Sequence, residues 1–427
     1  MPATLVAVMG TQVKVEVTVE LSRSLLETEE AIQTALNQVG CLVTREALQY
    51  LDTDGSPVVM GADVWRTKGR QPKAYQTPYG EVVVERHVYQ RSGGGKTYCP
   101  LERDARIVVT STPRFAKQVT AKFGVGAARE VQRDLADNHS RTVAASYLQR
   151  VAEAVGTVVQ VKETTWEYAL PALEAPITTV AVGLDGTCML LSEDGYREAM
   201  TGTISLYDAA GERHHTIYLG APPEYGKSRF LARLTAEVQR IKGHYLQATY
   251  VGIADGAEDN WRFLRQHTSV QVLDFYHAAG YLEGAGQALF PKAAEAAQRA
   301  AWVEERCHRL KHEVGAAAAL LAELQSLPPT LPPTARGDSL DRAVTYFYNH
   351  HTQMNYPQAL ENHWPIGSGV TEAACKTLVK QRLCRSGMRW KNTGAAVVLS
   401  LRALLLTPLR WEQFWDKLDQ YGFPVAA

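Results

Sequence analysis

Three carboxylates of the sequence occupy places from which they could share divalent cations. Asp185 ends a hydrophobic strand, Asp255 ends a later strand, and Glu372 opens a helix that follows a long helical stretch. Side chains at strand ends and at a helix start can converge at one edge of a sheet. Two Mg²⁺ ions about 3.5–4 Å apart, held by such oxygens, could flank a phosphodiester. One ion would activate water or a 3′-hydroxyl, and the other would stabilise the leaving oxygen.

Each acid also has an explanation that involves no metal. Asp185 and Asp255 both precede glycine, and Asp-Gly is a common turn pair. Glu372 could complement the helix dipole or pair with Lys376 one turn later. For each acid taken singly these explanations are favoured. The combination of all three, in strand–strand–helix order, favours the metal site.

Asp274 and His277 stand three residues apart at the end of the last expected strand. They could face the same site as secondary ligands or proton carriers. A packed, hydrogen-bonded pair in the core is the commoner role of such residues. A third possibility is that His277 contacts the scissile phosphate.

The segment after Glu372 is strongly basic and contains no acid up to Lys391. Neutralisation of phosphates explains this bias better than a solvated helix face, since such faces usually mix signs. The candidate DNA contacts are Lys376, Lys380, Arg382, Arg385, Arg389 and the interleaved Trp390.

The elements that must position these residues form a mixed α/β layer with a single sheet. The pattern predicts three antiparallel strands from Thr179 to Leu219, then helix, strand, helix and strand up to Leu273. A helical block fills 279–359, interrupted by a proline-rich run at 328–333. Helices resume at 368–385 and 394–406. An all-helical block therefore lies inside the α/β domain.

The N-terminal part divides into three smaller regions. A strand at 13–17 and a helix from Ser24 to Gly40 are expected first, and then a β-hairpin over 79–98 that turns at the glycines 93–95. Three short helices follow, at about 114–123, 127–136 and 141–154, the last capped by Ser140.

These three helices suit a helix-turn-helix that reads DNA, with Arg141 and Arg150 as candidate contacts. A small helical bundle that binds nothing fits the spacing equally well. Spacing alone does not decide between the two.

Composition limits the class of protein. The chain has 427 residues, with 45 Lys and Arg against 45 Asp and Glu, which excludes a uniformly basic binder but not a local DNA site. Six cysteines without a CxxC pair fit neither a disulfide framework nor a zinc finger, and indicate a reducing cytosol. No signal peptide or membrane span is expected, so we predict a cytoplasmic protein.

Several motifs resemble bacterial insertion-sequence transposases of the DDE class, in the branch whose catalytic core is similar to that of Mutator-like elements. They are GLDGT (183–187), IADGA (253–257), LDFYHA (273–278) and WPIGSGVTEAACKTLVKQRLCRSGMRW (364–390). The segment YGEVVVERHVYQ (79–90) also resembles the N-terminal half of such enzymes. Relatives would carry paired cysteines near this hairpin, but only Cys99 is present, so we expect packing rather than zinc to hold it.

The resemblance implies a ribonuclease-H-like catalytic domain with an all-helical insertion, preceded by a β-hairpin and a helix-turn-helix DNA-binding region. Asp185, Asp255 and Glu372 match the metal-binding catalytic triad, while Asp274 and the catalytic His277 match the accessory Cys/Asp-x-x-His motif. The implied regions are an N-terminal α/β segment (1–75), the hairpin (76–112), the helix-turn-helix (113–157), the catalytic core (176–278 and 360–392), the insertion (279–359) and C-terminal helices (393–427).

These expectations describe a Mg²⁺-dependent transposase, for which Mn²⁺ can substitute, in the bacterial cytosol. It would bind the terminal inverted repeats of its element and cut and join double-stranded DNA, as a homodimer or larger synaptic assembly. A ribonuclease-H-like nuclease or resolvase, which cuts without joining, is the first alternative. An inactive, domesticated DNA-binding protein is the second, and a structural protein without metal-dependent DNA affinity is the third.

Overall fold

The computed structural model describes residues 2–327 and 335–423, so the proline-rich run at 328–333 lies outside the described residues, as do residues 424–427 of the expected C-terminal segment. The chain is mixed α/β, as the sequence predicts. Its contacts divide it into two compact units. The first unit comprises residues 2–169, 400–405 and 409–423, and the second comprises residues 170–399 and 406–408.

The strands, in chain order, are β1 (Ala3–Met9), β2 (Gln12–Val17), β3 (Val58–Met60), β4 (Asp63–Gln76), β5 (Glu81–Arg91), β6 (Thr179–Leu191), β7 (Gly195–Tyr207), β8 (Arg213–Ala221), β9 (Thr249–Ala254) and β10 (Val270–Leu273). The helices are α1 (Leu25–Tyr50), α2 (Pro100–Asp104), α3 (Pro113–Val125), α4 (Ala128–His139), α5 (Ala145–Lys162), α6 (Ser228–His244), α7 (Glu258–His267), α8 (Phe275–Leu289), α9 (Ala296–His312), α10 (Ala316–Ser326), α11 (Ala335–His350), α12 (Tyr356–Glu361), α13 (Gly369–Ala374), α14 (Gln381–Leu383), α15 (Asn392–Leu406) and α16 (Arg410–Tyr421). A π-helical stretch, Cys375–Lys380, joins α13 to α14.

The hairpin of the first unit differs from the prediction. Strand β5 pairs along its length with β4, not with a strand after the glycine run. The turn lies at 77–80, where the Thr77 hydroxyl accepts the Gly80 N–H at 3.0 Å. Beyond the glycines 93–95 only a single bridge joins Tyr89 to Tyr98. Threonine hydroxyls that hydrogen-bond to the backbone favour turns, although more weakly than Asn or Asp, and here Thr77 bonds to Gly80.

Helix α1 continues ten residues past Gly40, where we predicted its end, and runs to Tyr50. Ser24 caps its start, as predicted, by accepting the Glu27 N–H. Gly40 has a packing role instead, because a Cβ there would stand 2.1 Å from Cγ of Tyr79. A strand not predicted from the sequence, β1, pairs with β2 before this helix.

Three helices follow, as predicted, but the connection between the last two is different. Ser140 has a φ of 53° and ends α4 in the left-handed conformation, so it does not cap α5, which begins at Ala145. An N-cap residue needs extended backbone angles, and a C-terminal cap commonly adopts the left-handed ones. The residues 141–144, which we placed in the third helix, therefore form the link between α4 and α5.

The second unit is built on a five-stranded sheet in the order β10-β9-β6-β7-β8. Strands β6, β7 and β8 are antiparallel neighbours, while β9 and β10 run parallel to β6. Helix α6 precedes β9 and α7 precedes β10, so the predicted alternation of helices and strands is confirmed. Every residue of β6 from 179 to 184 is buried, as expected for a central strand with both faces covered.

After β10 the described chain is helical up to Leu383, apart from short connections. Helices α8 to α12 add buried side chains such as Leu282, Leu320 and Phe347 to the core that the sheet begins. Helix α13 then lies against β6 and β7. Within the described residues, no single helix combines the length and the apolar character that crossing a membrane requires.

Candidate active site

Asp185 and Asp255 follow the paired parts of two neighbouring parallel strands, β6 and β9. The last register pair of these strands is Gly183 with Ile253, and each aspartate follows two residues later in the chain, Asp185 within β6 and Asp255 just after the end of β9. Neighbouring strands are about 4.8 Å apart, so the two carboxylates start from adjacent backbone positions. Asp255 follows the end of β9, as predicted. Asp185 does not end its strand, because β6 continues along β7 to Leu191. The pairing of β6 with β9 ends at Gly183, two residues before Asp185.

Asp185 is half-buried among groups that make its negative charge unfavourable. Burial raises the pKa of Asp185, and the carboxylates of Asp255 and Glu198 raise it further. Two donors oppose this rise: the Gly186 N–H at 2.7 Å and the Cys375 thiol, whose Sγ lies 3.4 Å from Oδ2. Burial raises the pKa of Cys375 itself to about 11, so the thiol keeps its proton. A carboxylate in such surroundings gains strongly from a nearby cation.

Glu372 reaches the same region from α13. Its Oε1 accepts a hydrogen bond of 2.6 Å from the hydroxyl of Ser368, one turn earlier. The preceding residue, Thr371, is buried against the sheet, where its hydroxyl lies 2.7 Å from that of Thr203 on β7. This contact and the absence of a side chain at Gly183 let α13 approach β6 closely. Glu372 itself stays half-exposed, in the first turn of the helix, as predicted.

Asp274 is fully buried and ties three elements together. It follows β10 and caps α8 by accepting the His277 N–H at 2.7 Å, and it also accepts the N–H of Ser368. Burial alone would raise the pKa of Asp274, but these hydrogen bonds and the nearby His277 ring outweigh it and hold the pKa below its usual value. Of the roles that we considered for Asp274, the structure shows that of a packed, hydrogen-bonded residue.

His277 has a more open position. Its side chain is 44% exposed, and its Nδ1 lies 3.4 Å from Asp274 Oδ1 and 3.8 Å from Glu372 Oε1. The ring therefore faces the site, in the position of a secondary ligand, a proton carrier or a phosphate contact.

One cavity of about 780 Å³ brings these residues together. Its lining includes Asp185, Asp255, Glu372 and His277, and the basic Lys376 and Lys380. Among the described residues, the group with all ligand atoms within 4.8 Å of one another is Asp274, His277 and Glu372, and the three predicted acids do not form such a group.

The donor set nevertheless suits hard divalent cations. Two ions about 4 Å apart would not require the three carboxylates to meet at one point. Asp185, Asp255 and Glu372 would hold them between them, and water and phosphate would complete the coordination. Every donor of the predicted trio is an oxygen. Burial, and after it the charges of Asp255 and Glu198, raise the pKa of Asp185, and a bound cation would offset both effects. The residues present therefore fit Mg²⁺ or Mn²⁺.

The basic segment divides into exposed and buried members. Lys376, Lys380, Arg385 and Arg389 are exposed, and the two lysines line the cavity. Arg382, by contrast, is 1% exposed, and its guanidinium lies 5.1 Å from the centre of the Trp390 ring.

Trp390 also has a packing role. Its indole N–H donates to the Leu383 carbonyl at 2.9 Å. The prediction of direct DNA contact is therefore wrong for Arg382, which lies in the interior, and Trp390 packs on it.

The two arginines of the expected helix-turn-helix also differ. Arg141 is buried, and its guanidinium donates to the Thr77 carbonyl at 3.2 Å and to the Gln76 side chain at 2.6 Å. It holds the turn of the β4–β5 hairpin, so its assignment as a DNA contact is wrong. Arg150 is exposed on α5, beside the ring of Tyr147.

Sequence reasoning missed residues that support the three acids. Ser368 positions Glu372, and a serine at a helix start is a recognisable N-cap residue, although Glu372 lies one position beyond the capping-box spacing. Cys375 follows Glu372 by three residues, which places both on one helix face, yet a lone cysteine gave no such signal. Gly183 and Thr371 support the site only through the contact between β6 and α13, two segments far apart in the chain, so no local pattern could have identified them.

Comparison with known proteins adds no family to this description. No protein-family model matches the chain, and no curated protein matches it.

Proposed function

We propose that the protein is a DDE transposase that binds the terminal inverted repeats of an insertion sequence and cuts and joins DNA strands with Mg²⁺. The observation that carries the proposal is the single cavity in which two aspartates that follow the paired parts of neighbouring parallel strands meet Glu372 and two lysines. Acids for cations and lysines for phosphates are what phosphoryl transfer on DNA requires.

The strand order supports a ribonuclease-H-like core. An antiparallel set of three strands is followed by two parallel strands beside the first one, and helices α8 to α12 stand between the last strand and the helix of Glu372. This arrangement agrees with the helical insertion that the resemblance implies before the final acid.

Each residue of the site would have a distinct role. Asp185, Asp255 and Glu372 would hold the cations, which when bound supply activation of water or a 3′-hydroxyl and stabilisation of the leaving oxygen. Ser368 and the Cys375 thiol orient two of these carboxylates. Lys376 and Lys380 would position phosphates by charge, and His277 would accept or donate a proton at the edge of the cavity. No side chain here needs to form a covalent intermediate.

Recognition of DNA ends would use other surfaces. In the first unit, α5 exposes Arg150 together with Ser146 and Gln149, which suits a recognition helix. In the second unit, Arg385 and Arg389 extend the positive charge beyond the cavity. Pairing two element ends would require at least two copies of the chain.

The test uses the DNA that flanks the gene, searched for short inverted repeats. We expect Mg²⁺-dependent nicking of a labelled repeat, followed by strand transfer into a target plasmid. Asp255→Ala should abolish nicking and leave binding of the repeat largely intact. Asp194→Ala is the matched control, because Asp194 also precedes a glycine but lies exposed at the turn between β6 and β7. Full nicking by Asp255→Ala would contradict the proposal.

The same experiment separates the alternatives. A nuclease or resolvase would nick the DNA without giving a strand-transfer product. An inactive DNA-binding protein would bind the repeat and nick nothing.

A further inference from the structure

Two exposed cysteines meet beside the cavity of the candidate active site. Cys188 lies on β6, three residues after Asp185, and Cys384 directly follows α14. The Cys384 thiol donates a hydrogen bond to the Cys188 carbonyl, with 3.5 Å between sulfur and oxygen. A carbonyl oxygen is about 2.4 Å from the Cα atom of its own residue, so this contact brings the Cys384 sulfur within about 6 Å of the Cys188 Cα atom.

The fold itself keeps the two cysteines close. Strand β6 pairs with β9 only as far as Gly183, and beyond that point its backbone bonds to the segment that follows α13. There the Cys188 carbonyl accepts the Cys384 thiol. Two residues further on, the Leu190 carbonyl accepts the Trp390 N–H at 3.1 Å. Two cysteines that are 196 residues apart in the chain are therefore neighbours in the folded protein.

Exposure selects these two thiols for oxidation. Partial burial raises the pKa of Cys384, while Lys380 opposes this rise and the nearby Cys188 adds to it. The thiolate is the form that reacts with oxidants, and both residues are exposed to them. Cys375, by contrast, is buried, and burial raises its pKa to about 11, so its thiol keeps its proton. A peroxide therefore reacts with Cys188 or Cys384 before it reacts with Cys375.

We propose that Cys188 and Cys384 are a reversible redox switch, which closes to a disulfide in the presence of hydrogen peroxide and slows cleavage of DNA. One thiol takes an oxygen atom from the peroxide to become a sulfenic acid, and the first water is released. The second thiol attacks that sulfur, the S–S bond forms, and the oxygen leaves as a second water. The two thiols lose two electrons and two protons, and a thiol reductant returns them. Transient, redox-sensing disulfides are the kind that a reducing cytosol permits.

The disulfide would act on the cavity through one turn of helix. The Cys384 N–H donates to the Lys380 carbonyl at 3.2 Å, and Lys380 lines the cavity. Bonded sulfur atoms are only about 2.05 Å apart, so closing the bond draws Cys384 towards β6 and moves the turn of Lys380 with it. The effect on cleavage rests on the proposed function, whereas formation of the bond does not.

The test treats the full, reduced chain with hydrogen peroxide at low protein concentration. We expect two of the six free thiols to disappear, and mass spectrometry of a digest to show a cross-link between Cys188 and Cys384 that dithiothreitol reverses. Cys188→Ser and Cys384→Ser should each lose this cross-link. Cys307→Ser is the matched control, because Cys307 is a half-buried cysteine of the same unit, and it should keep the cross-link. Hydrogen exchange of the amides 376–390 should slow in the oxidised protein.

Nicking of a flanking repeat is measured on the same samples. The oxidised protein should nick about tenfold or more slowly and recover in dithiothreitol, while Cys188→Ser should ignore peroxide. Three results would overturn the switch: no cross-link between Cys188 and Cys384, equal nicking before and after the cross-link forms, or an equal effect of peroxide on Cys188→Ser. If the cross-link forms and slows hydrogen exchange but no repeat is nicked in either state, the disulfide stands and the transposase proposal is refuted.

Discussion

Gly183 allows helix α13 to lie directly against strand β6, and a single methyl group there should disturb the site. A Cβ at this position would stand 2.2 Å from Oγ1 of Thr371, where ordinary contacts begin near 3.4 Å. The threonine cannot turn away freely, because it is buried and shares a 2.7 Å hydrogen bond with Thr203. Gly183→Ala must therefore break that bond or push α13 outwards by about 1 Å.

Either adjustment costs about 1–3 kcal/mol of folding free energy. An outward shift of α13 also moves Glu372. If Glu372 is catalytic, as we propose, a displacement of about 1 Å costs roughly 100-fold in rate. We therefore expect Gly183→Ala to fold with reduced stability and to nick a flanking repeat about 100-fold more slowly. It would do so without changing any side chain that lines the cavity.

Urea unfolding and nicking rates measure the two effects. The control is Gly220→Ala on β8, where the added Cβ would lie an ordinary 3.5 Å from Leu399. The double variant Gly183→Ala with Thr371→Ala removes the clashing hydroxyl and leaves the Cβ atom 3.4 Å away, so it should recover part of both losses. Equal behaviour of Gly183→Ala and Gly220→Ala, or a double variant worse than the sum of its parts, would refute this reasoning.

Three further predictions concern single side chains. Burial alone would raise the pKa of Glu102, but its hydrogen bonds and the nearby cations hold that pKa below its usual value, so Glu102→Gln should cost about 1–3 kcal/mol of folding free energy. The stabilisation is complete above the ordinary carboxyl pKa and is lost as the pH falls through the lowered pKa of Glu102. Urea unfolding of Glu102→Gln at pH 7 that matches the unchanged protein would disprove this prediction. Ser368→Ala removes the 2.6 Å hydrogen bond to Glu372 and should weaken Mn²⁺ binding, measured by calorimetry, about tenfold or more, whereas unchanged affinity would mean that Glu372 needs no support. Arg141→Ala should cost about 2–4 kcal/mol of stability and Arg150→Ala less than about 0.5, and the reverse order in thermal melting would show that the buried and exposed roles are misassigned.

The sequence predicts the second unit better than the first because its signals there are local. Buried strands and amphipathic helices alternate with clear turns, so the order of elements from Thr179 to Leu273 is confirmed. The position of Asp255 at a strand end follows from the same pattern. The continuation of β6 past Asp185 does not, because it depends on pairing with β7 alone.

The mistakes in the first unit have a common physical cause. Gly40 resembles a helix terminator until Tyr79, 39 residues later, packs on it. Arg141 resembles a DNA contact until the turn at Gln76 and Thr77 surrounds its guanidinium. Both outcomes depend on contacts between segments far apart in the chain, and no local pattern of residue types contains that information.

The candidate site shows the same difference between features with a local sequence signal and features that depend on distant contacts. The acids could be identified by their type and their place after strands, but the residues that orient them could not. Asp274 binds the backbone of Ser368, 94 residues later, and Ser368 in turn holds Glu372. Only the folded chain brings these three residues together.

The segment from Glu372 to Trp390 is attached at both ends to the strand that carries Asp185. At one end α13 packs on β6. At the other end the Trp390 backbone pairs with Leu191: its N–H donates to the Leu190 carbonyl at 3.1 Å, and its carbonyl accepts the Ser192 N–H at 2.9 Å. Lys376 and Lys380 therefore lie on a segment that is attached to β6 at both ends, not on a free loop. The backbone that carries Lys376 and Lys380 is therefore held beside the strand of Asp185 by contacts within the protein itself. If phosphate binds at this cavity as we propose, little ordering of this backbone is left to offset its binding.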